Sequence, residues 1–160
     1  MIVRFPALAL AAALTSALAL PAVSFADTAA GAVDATPVSA ELRLARAEAE
    51  LALGREAVAL EADCGSVPAV SIDWTGFPDD AFDYSVAGYC ETLVDALGAH
   101  CRAGPAKRAY IAERVEGLVC AYGTGDAPEV EADGGRVIGR FRFEMPNLEE
   151  AFRRGLLGAL

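Results

Sequence analysis

Cys90 and Cys101 stand on the same face of one amphipathic stretch, and that placement limits the folds open to this chain more than any other feature of its sequence. In residues 84–98, Tyr89, Cys90, Leu93, Val94 and Leu97 recur at spacings of three and four, and Cys101 continues the series. This is the period of a helix with one apolar face. Eleven residues of helix rise roughly 16 Å, well beyond the Cα separation that a disulfide spans. The two thiols therefore cannot bond to each other unless the last turn unwinds, and each needs a partner from another element. The chain has four cysteines, so the partners are Cys64 and Cys120.

Whether these thiols pair depends on the compartment. Arg4 is followed by an apolar run from Phe5 to Leu20, Pro21 breaks the run, and Ser24 and Ala26 put small residues at the two positions a signal peptidase reads. The reading is a signal peptide over residues 1–26, cleaved after Ala26, with no cysteine nearby to carry a lipid. An uncleaved anchor is the alternative, opposed by Pro21 and the small-residue exit. An Ala- and Gly-rich chain with such a leader implies a bacterial envelope, either periplasmic or secreted. An even number of cysteines in that oxidising setting implies two disulfides rather than a metal site.

Cleavage would remove one of the 13 basic residues, Arg4, and none of the 23 acids, leaving 12 against 23 and a formal charge of −11. That charge repels nucleic acid and anionic lipid. No stable membrane anchor is expected after cleavage.

Residues 27–38, rich in small residues and Thr with no apolar period, read as a flexible linker. Residues 39–62 are made of helix formers, with Ser39 as N-cap and Arg46 four residues before Glu50. At 100° per residue, Leu42, Ala49, Leu53 and Leu60 fall on one side of this helix, and Leu44, Leu51 and Val58 on the opposite side. The first side docks on the domain. The second, at seven-residue spacing, is either covered by another part of the chain or is an association face for a protein partner or a second copy.

Residues 63–160 read as a disulfide-stapled α+β domain. Val70, Ile72 and Trp74 alternate with Ser71, Asp73 and Thr75 in a short strand. An acidic loop, GFPDDAFD, leads to the helix of 84–98, capped by Asp83 or Ser85 and ended by Gly98. Pro105 opens a second helix to about Glu116, forming an antiparallel helical hairpin with the first. Residues 118–122 alternate as a strand. EVEADGGRVIGRFRF then reads as a hairpin turning at Gly134 and Gly135. A two-residue turn there sets Asp133 opposite Arg136, Glu131 opposite Ile138 and Glu129 opposite Arg140 on one face, with Val130, Ala132, Val137, Phe141 and Phe143 on the other. Asn147 with Glu150 reads as a capping box for a last helix burying Leu148, Phe152 and Leu156. The expected fold is α+β: an antiparallel sheet of about four strands with helices packed on one face, preceded by the long helix.

In this order the helix of 84–98 returns across the first strand and ends where that strand began, beside Cys64. A position as far beyond the turn at Gly104 as Cys90 lies before it falls near Leu118. The predicted disulfides are therefore Cys64–Cys101 and Cys90–Cys120, with Cys64–Cys90 and Cys101–Cys120 the other pairing considered.

No catalytic signature is visible. His100, the only histidine, adjoins Cys101, but neighbours on a helix do not face each other, and His100 near a helix C-terminus is accounted for as a cap for the helix dipole. No CxxC spacing supports a redox or zinc site. Asp73, Asp79, Asp80 and Asp83 do not have the spacing of a calcium loop, and no metal or cofactor is expected. Arg102, Lys107 and Arg108 gather at a helix start where an anion could bind. Asp73, Trp74, Phe77, Asp79, Asp80 and Tyr84 combine acids with aromatics, as a groove for a carbohydrate, peptide or cation would, or as core aromatics beside a solvated loop would. The expected function is a non-enzymatic binding or protein-interaction module; the alternative is a cofactor-free hydrolase using the carboxylates near Trp74.

Overall fold

The computed structural model describes residues 39–66 and 68–160; the leader of 1–26 and the linker of 27–38 fall outside them. The order is α1 (Ala40–Cys64), β1 (Ala69–Asp73), α2 (Val86–Arg102), α3 (Pro105–Arg114), β2 (Gly117–Tyr122), β3 (Glu129–Asp133), β4 (Arg136–Phe141) and α4 (Leu148–Ala159), with a short 3-10 turn at Ala81–Asp83. α1 belongs to the same compact unit as the elements after it. α1 starts as the sequence implies: the Leu42 amide donates to Ser39 Oγ (3.1 Å). It ends at Gly65, whose φ of 78° is a left-handed cap.

The four strands lie in the order β1-β2-β4-β3, and the sheet is mixed rather than antiparallel. β1 pairs parallel with β2, and β2 parallel with β4; the β3–β4 pair alone is antiparallel. The cause is the course of α3. An antiparallel helical hairpin would have returned the chain to the far end of β1. Instead the ten residues of α3 remain near the end where β1 begins, and β2 starts there, with Gly117 level with Ala69. The connection is thus a β-α-β crossover, which yields parallel strands.

The hairpin has the register that charge pairing implies: Glu129 opposite Arg140, Glu131 opposite Ile138 and Asp133 opposite Arg136. Gly134 and Gly135 take φ values of 54° and 83°, as a type I′ turn requires. Arg140 forms its ion pair with Glu131, diagonal to it, at 2.8 Å.

Helices cover the sheet face bearing Ile72, Leu118, Cys120, Val137 and Phe141. α1 lies against β1 and α2, α2 against β2 and α4, and α4 against β3. Phe141, Phe152, Leu93, Leu97, Leu118 and Leu156 are fully buried in this layer, each contributing about 1.5–3 kcal/mol of transfer free energy. The two layers approach closely at Gly139, where a Cβ would lie 2.6 Å from Leu93 Cδ2. Gly98 does not end its helix. It allows α2 to run on past α1, since a Cβ there would stand 2.9 Å from Asp63 Oδ2. Asn147 precedes α4 in a left-handed conformation and its side chain makes no capping bond, so the expected capping box does not form.

Both disulfides are those predicted. Cys64–Cys101 has a Cα separation of 5.0 Å and Cys90–Cys120 one of 5.7 Å. The route to the second differs from the expectation, because β2 itself, rather than α3, carries the chain back beneath Cys90.

Candidate functional site

The carboxyl ends of parallel strands are where open α/β sheets usually hold ligands, and here the protein's own aromatics occupy that place. Trp74 follows β1, Tyr122 ends β2, and Phe141 ends β4. Phe77, from the loop after β1, packs among them, with ring centroids 5.3 Å from Trp74, 5.3 Å from Tyr122 and 6.1 Å from both Phe141 and Phe143. Tyr84 stacks on Phe143 at 4.2 Å. Tyr89 stacks on Phe141, and its hydroxyl accepts from the Glu144 amide at 3.1 Å. Glu144 beside Tyr84 pushes that phenol above its ordinary pKa of 10.0.

The structure thus gathers Trp74, Phe77 and Tyr84 into one cluster, while the acids remain in solvent: Asp73, Asp79 and Asp80 are all exposed. Asp73 belongs to the opposite face of the sheet from Ile72. Its carboxylate accepts from the Thr75 amide at 3.0 Å, and this bond, with Arg140 as a lesser cause, holds its pKa below the usual 3.8. A general acid requires the opposite shift.

Trp74 has another role. Its Nε1 donates to Glu50 Oε1 at 2.8 Å, and the Arg46 guanidinium lies over the indole at 5.2 Å from the ring centroid. These two residues, four apart on α1, grip the Trp ring instead of pairing with each other as the sequence spacing suggested. Farther along, Leu53, Ala57 and Leu60 are buried, Asp63 pairs with Arg102, and Cys64 is bonded to Cys101. The helix cannot rotate about its axis without breaking all of these contacts.

That fixed orientation turns the second stripe outward. Leu44, Leu51 and Val58 are 61%, 69% and 60% exposed. Each keeps most of its apolar surface in water, and burial of that surface against another body would be favourable. Beside this stripe, Ala45, Ala49, Ala52, Phe82 and Tyr84 line a shallow groove of about 300 Å³.

His100 sits in the last turn of α2, in a depression shared with Lys107, Tyr110, Leu157 and Leu160. Burial first, and Lys107 second, lower its pKa from 6.5. Arg102 adds a positive charge in the same turn. Cys101 is tied to Cys64, which leaves no thiol for His100 to activate. Arg102 is engaged by Asp63, and the Arg108 guanidinium lies 3.2 Å from the Cβ position of Gly65, at the carboxyl end of α1. Of the basic cluster, Arg102 is thereby engaged by an ion pair at the end of α1, and Arg108 lies close to the same helix end.

The sequence reading did not single out Tyr110 (43% exposed) or Leu157 (61%); lone apolar residues carry no periodic signal. Among the described residues, no group of three or more His, Cys, Asp or Glu is placed to hold a metal ion, and no helix is long and apolar enough to cross a membrane. Comparison with protein-family models, with curated proteins and with solved structures gives no match.

Proposed function

We propose that the protein is a non-enzymatic interaction module of the bacterial envelope, periplasmic or secreted, which binds a protein partner through the outer face of α1. The observation that carries this reading is the exposure of Leu44, Leu51 and Val58 on a helix held in place by a disulfide, an ion pair, the Trp74 contacts and three buried side chains. The two disulfides fit an oxidising compartment. The hydrolase reading has no comparable support, because Asp73 is held ionised and the acids near Trp74 face solvent.

The test is Leu51→Glu. Leu51 contributes nothing to the core, so at low concentration, where the wild type is dissociated, the variant keeps the wild-type thermal unfolding transition and both disulfides, while it loses association, read as hydrodynamic size and as capture of envelope proteins on immobilised protein. Deleting the helix would not serve, since it also removes Leu53, Ala57 and Leu60 from the core. Unchanged size together with unchanged capture would leave α1 a purely structural helix.

A further inference from the structure

We infer that the partner covering α1 is a second copy of this chain, with the two helices antiparallel about a two-fold axis beside residues 52 and 53. The inference rests on the reading of α1 as an interaction face and identifies what covers it.

The first observation is Gly54. It lies in the middle of a 25-residue helix, and among the described residues nothing beyond the helix's own neighbouring backbone lies within 4 Å of where its Cβ would be. Glycine in a helix interior disfavours the helix relative to alanine, and the fold here gives no packing reason to keep it. A backbone bare at this point, next to Leu51, offers a hollow for a side chain from outside.

The second is the arrangement of sizes along the stripe. Ala47 and Gly54 lie one turn from the large residues Leu51 and Val58 on the exposed face. In an antiparallel pair, Leu51 enters over Gly54 of the second copy and Val58 over Ala47, so each layer holds one large and one small residue and the layers have even thickness. Both contacts fall in the same register, and two-fold symmetry supplies each of them twice. A parallel pair would set Leu51 on Leu51 and Gly54 on Gly54, alternating crowded layers with empty ones.

The third is charge. Glu48 and Arg55 flank the stripe on one side, both are exposed, and among the described residues neither has an ion-pair partner. They stand seven residues apart, too far along one helix to meet each other. In the antiparallel register Glu48 comes within about two residues, roughly 3 Å along the axis, of Arg55 in the second copy. Symmetry then forms the pair twice. A parallel pair would instead need Glu50 for Arg55, and Glu50 already accepts from Trp74. The pairing also opposes the two helix dipoles. At either end Leu44 meets Glu61 of the other copy, so the close contact is confined to the central turns.

The experiment is sedimentation equilibrium of the full-length, disulfide-bonded protein over a wide concentration range. The wild type should show a monomer–dimer equilibrium, and Leu51→Glu should be monomeric throughout. Glu48→Arg and Arg55→Glu should each raise the dissociation constant on the order of tenfold, since both symmetric pairs turn repulsive. The double variant Glu48→Arg with Arg55→Glu should return it close to the wild-type value. A parallel pair predicts the reverse for the double variant, in which the introduced arginine would face Arg43 and the introduced glutamate would face Glu50. Gly54→Gln should weaken the dimer while raising the thermal stability of the monomer, because the helix gains a better helix former as the hollow is filled.

A wild type that is monomeric at every concentration, a dimer indifferent to Leu51→Glu, a double variant that does not recover, or a Gly54→Gln dimer as tight as wild type would each overturn self-pairing. If the wild type is monomeric but Leu51→Glu still abolishes capture of envelope proteins, the interaction face stands and its partner is a different protein.

Discussion

Gly54 and Gly139 are both glycines inside regular elements, and substitution should act on them in opposite directions. At Gly54 the space around the missing Cβ is open, so Gly54→Ala should stabilise the monomer by about 0.5–1 kcal/mol, through the helix and through a less flexible unfolded chain. At Gly139 a methyl would meet both Cδ atoms of Leu93, at 2.6 and 2.8 Å, and Leu93 is fully buried. Gly139→Ala should therefore cost about 1–3 kcal/mol, the range for overpacking a filled interior. Urea unfolding of the oxidised variants at low concentration measures both, and equal effects of the same sign would contradict the packing described. His100 offers a residue-scale pH test. Its folded pKa lies below the unfolded value of 6.5, so the unfolded chain takes up the proton first. The associated stability is present above pH 6.5 and is lost as pH falls below it towards the folded pKa. The imidazole should titrate by NMR with a midpoint under 6.5, and Lys107→Ala should recover only the smaller part of the shift, because burial is its larger cause.

At the scale of elements, the attachment of α1 has two anchors of different kinds. The Cys64–Cys101 bond and Leu60 hold its carboxyl end, while the half before Leu53 depends on Glu50 and Arg46 gripping Trp74. Glu50→Ala should cost less than about 1 kcal/mol globally, as exposed polar contacts do. It should nonetheless speed hydrogen exchange of amides before Leu53 more than those after it, and uniform exchange along α1 would show that the Trp74 contact holds nothing. This anchor marks a boundary of what the sequence tells. The two faces of α1 were legible because a 3.6-residue period needs only neighbours, and the β3–β4 register was legible because a slip of one residue would undo both its charge pairing and its apolar face. Helix rise kept Cys90 and Cys101 apart and so led to the pairing, although the reversal that brings Cys120 beneath Cys90 is made by β2 and not, as expected, by α3. The partner of Glu50 did not, because Arg46 satisfies the local spacing rule and the indole that displaces it comes from 24 residues away. Strand direction was misread for a similar reason. It depends on where the ten residues of α3 lie relative to the sheet, which no periodicity records. The candidate groove at Trp74, Phe77 and Tyr84 was legible as an aromatic cluster, whereas Phe77 inserting among Tyr122, Phe141 and Phe143 depends on strand ends that only the fold brings together.

At the scale of the whole molecule, α2 is the element through which the rest is joined: it touches α1, α3, α4 and β2, and each disulfide has one sulfur on it. The sequence separations closed are 37 and 30 residues, so the chain-entropy model assigns each bond about 3–4 kcal/mol and barely separates them. Their positions differ more than their loops do. Cys64–Cys101 ties a peripheral helix to α2, whereas Cys90–Cys120 joins α2 to a central strand, where Leu93, Leu97, Leu118 and Phe141 are all fully buried. Opening the first should release a unit, α1, that can detach while the other helices still cover the sheet; opening the second separates the layers that make up the core. The paired replacement of Cys64 and Cys101 by alanine should therefore raise hydrogen exchange in α1 well before it raises exchange in β2 and β4, which is sub-global opening. The paired replacement of Cys90 and Cys120 should lower protection in α2, β2 and β4 together, by a similar free energy in all three. If α1 in the first variant kept the protection of β4, or if the second variant lost protection in α2 alone, the division into a detachable helix and a single two-layer core would be wrong.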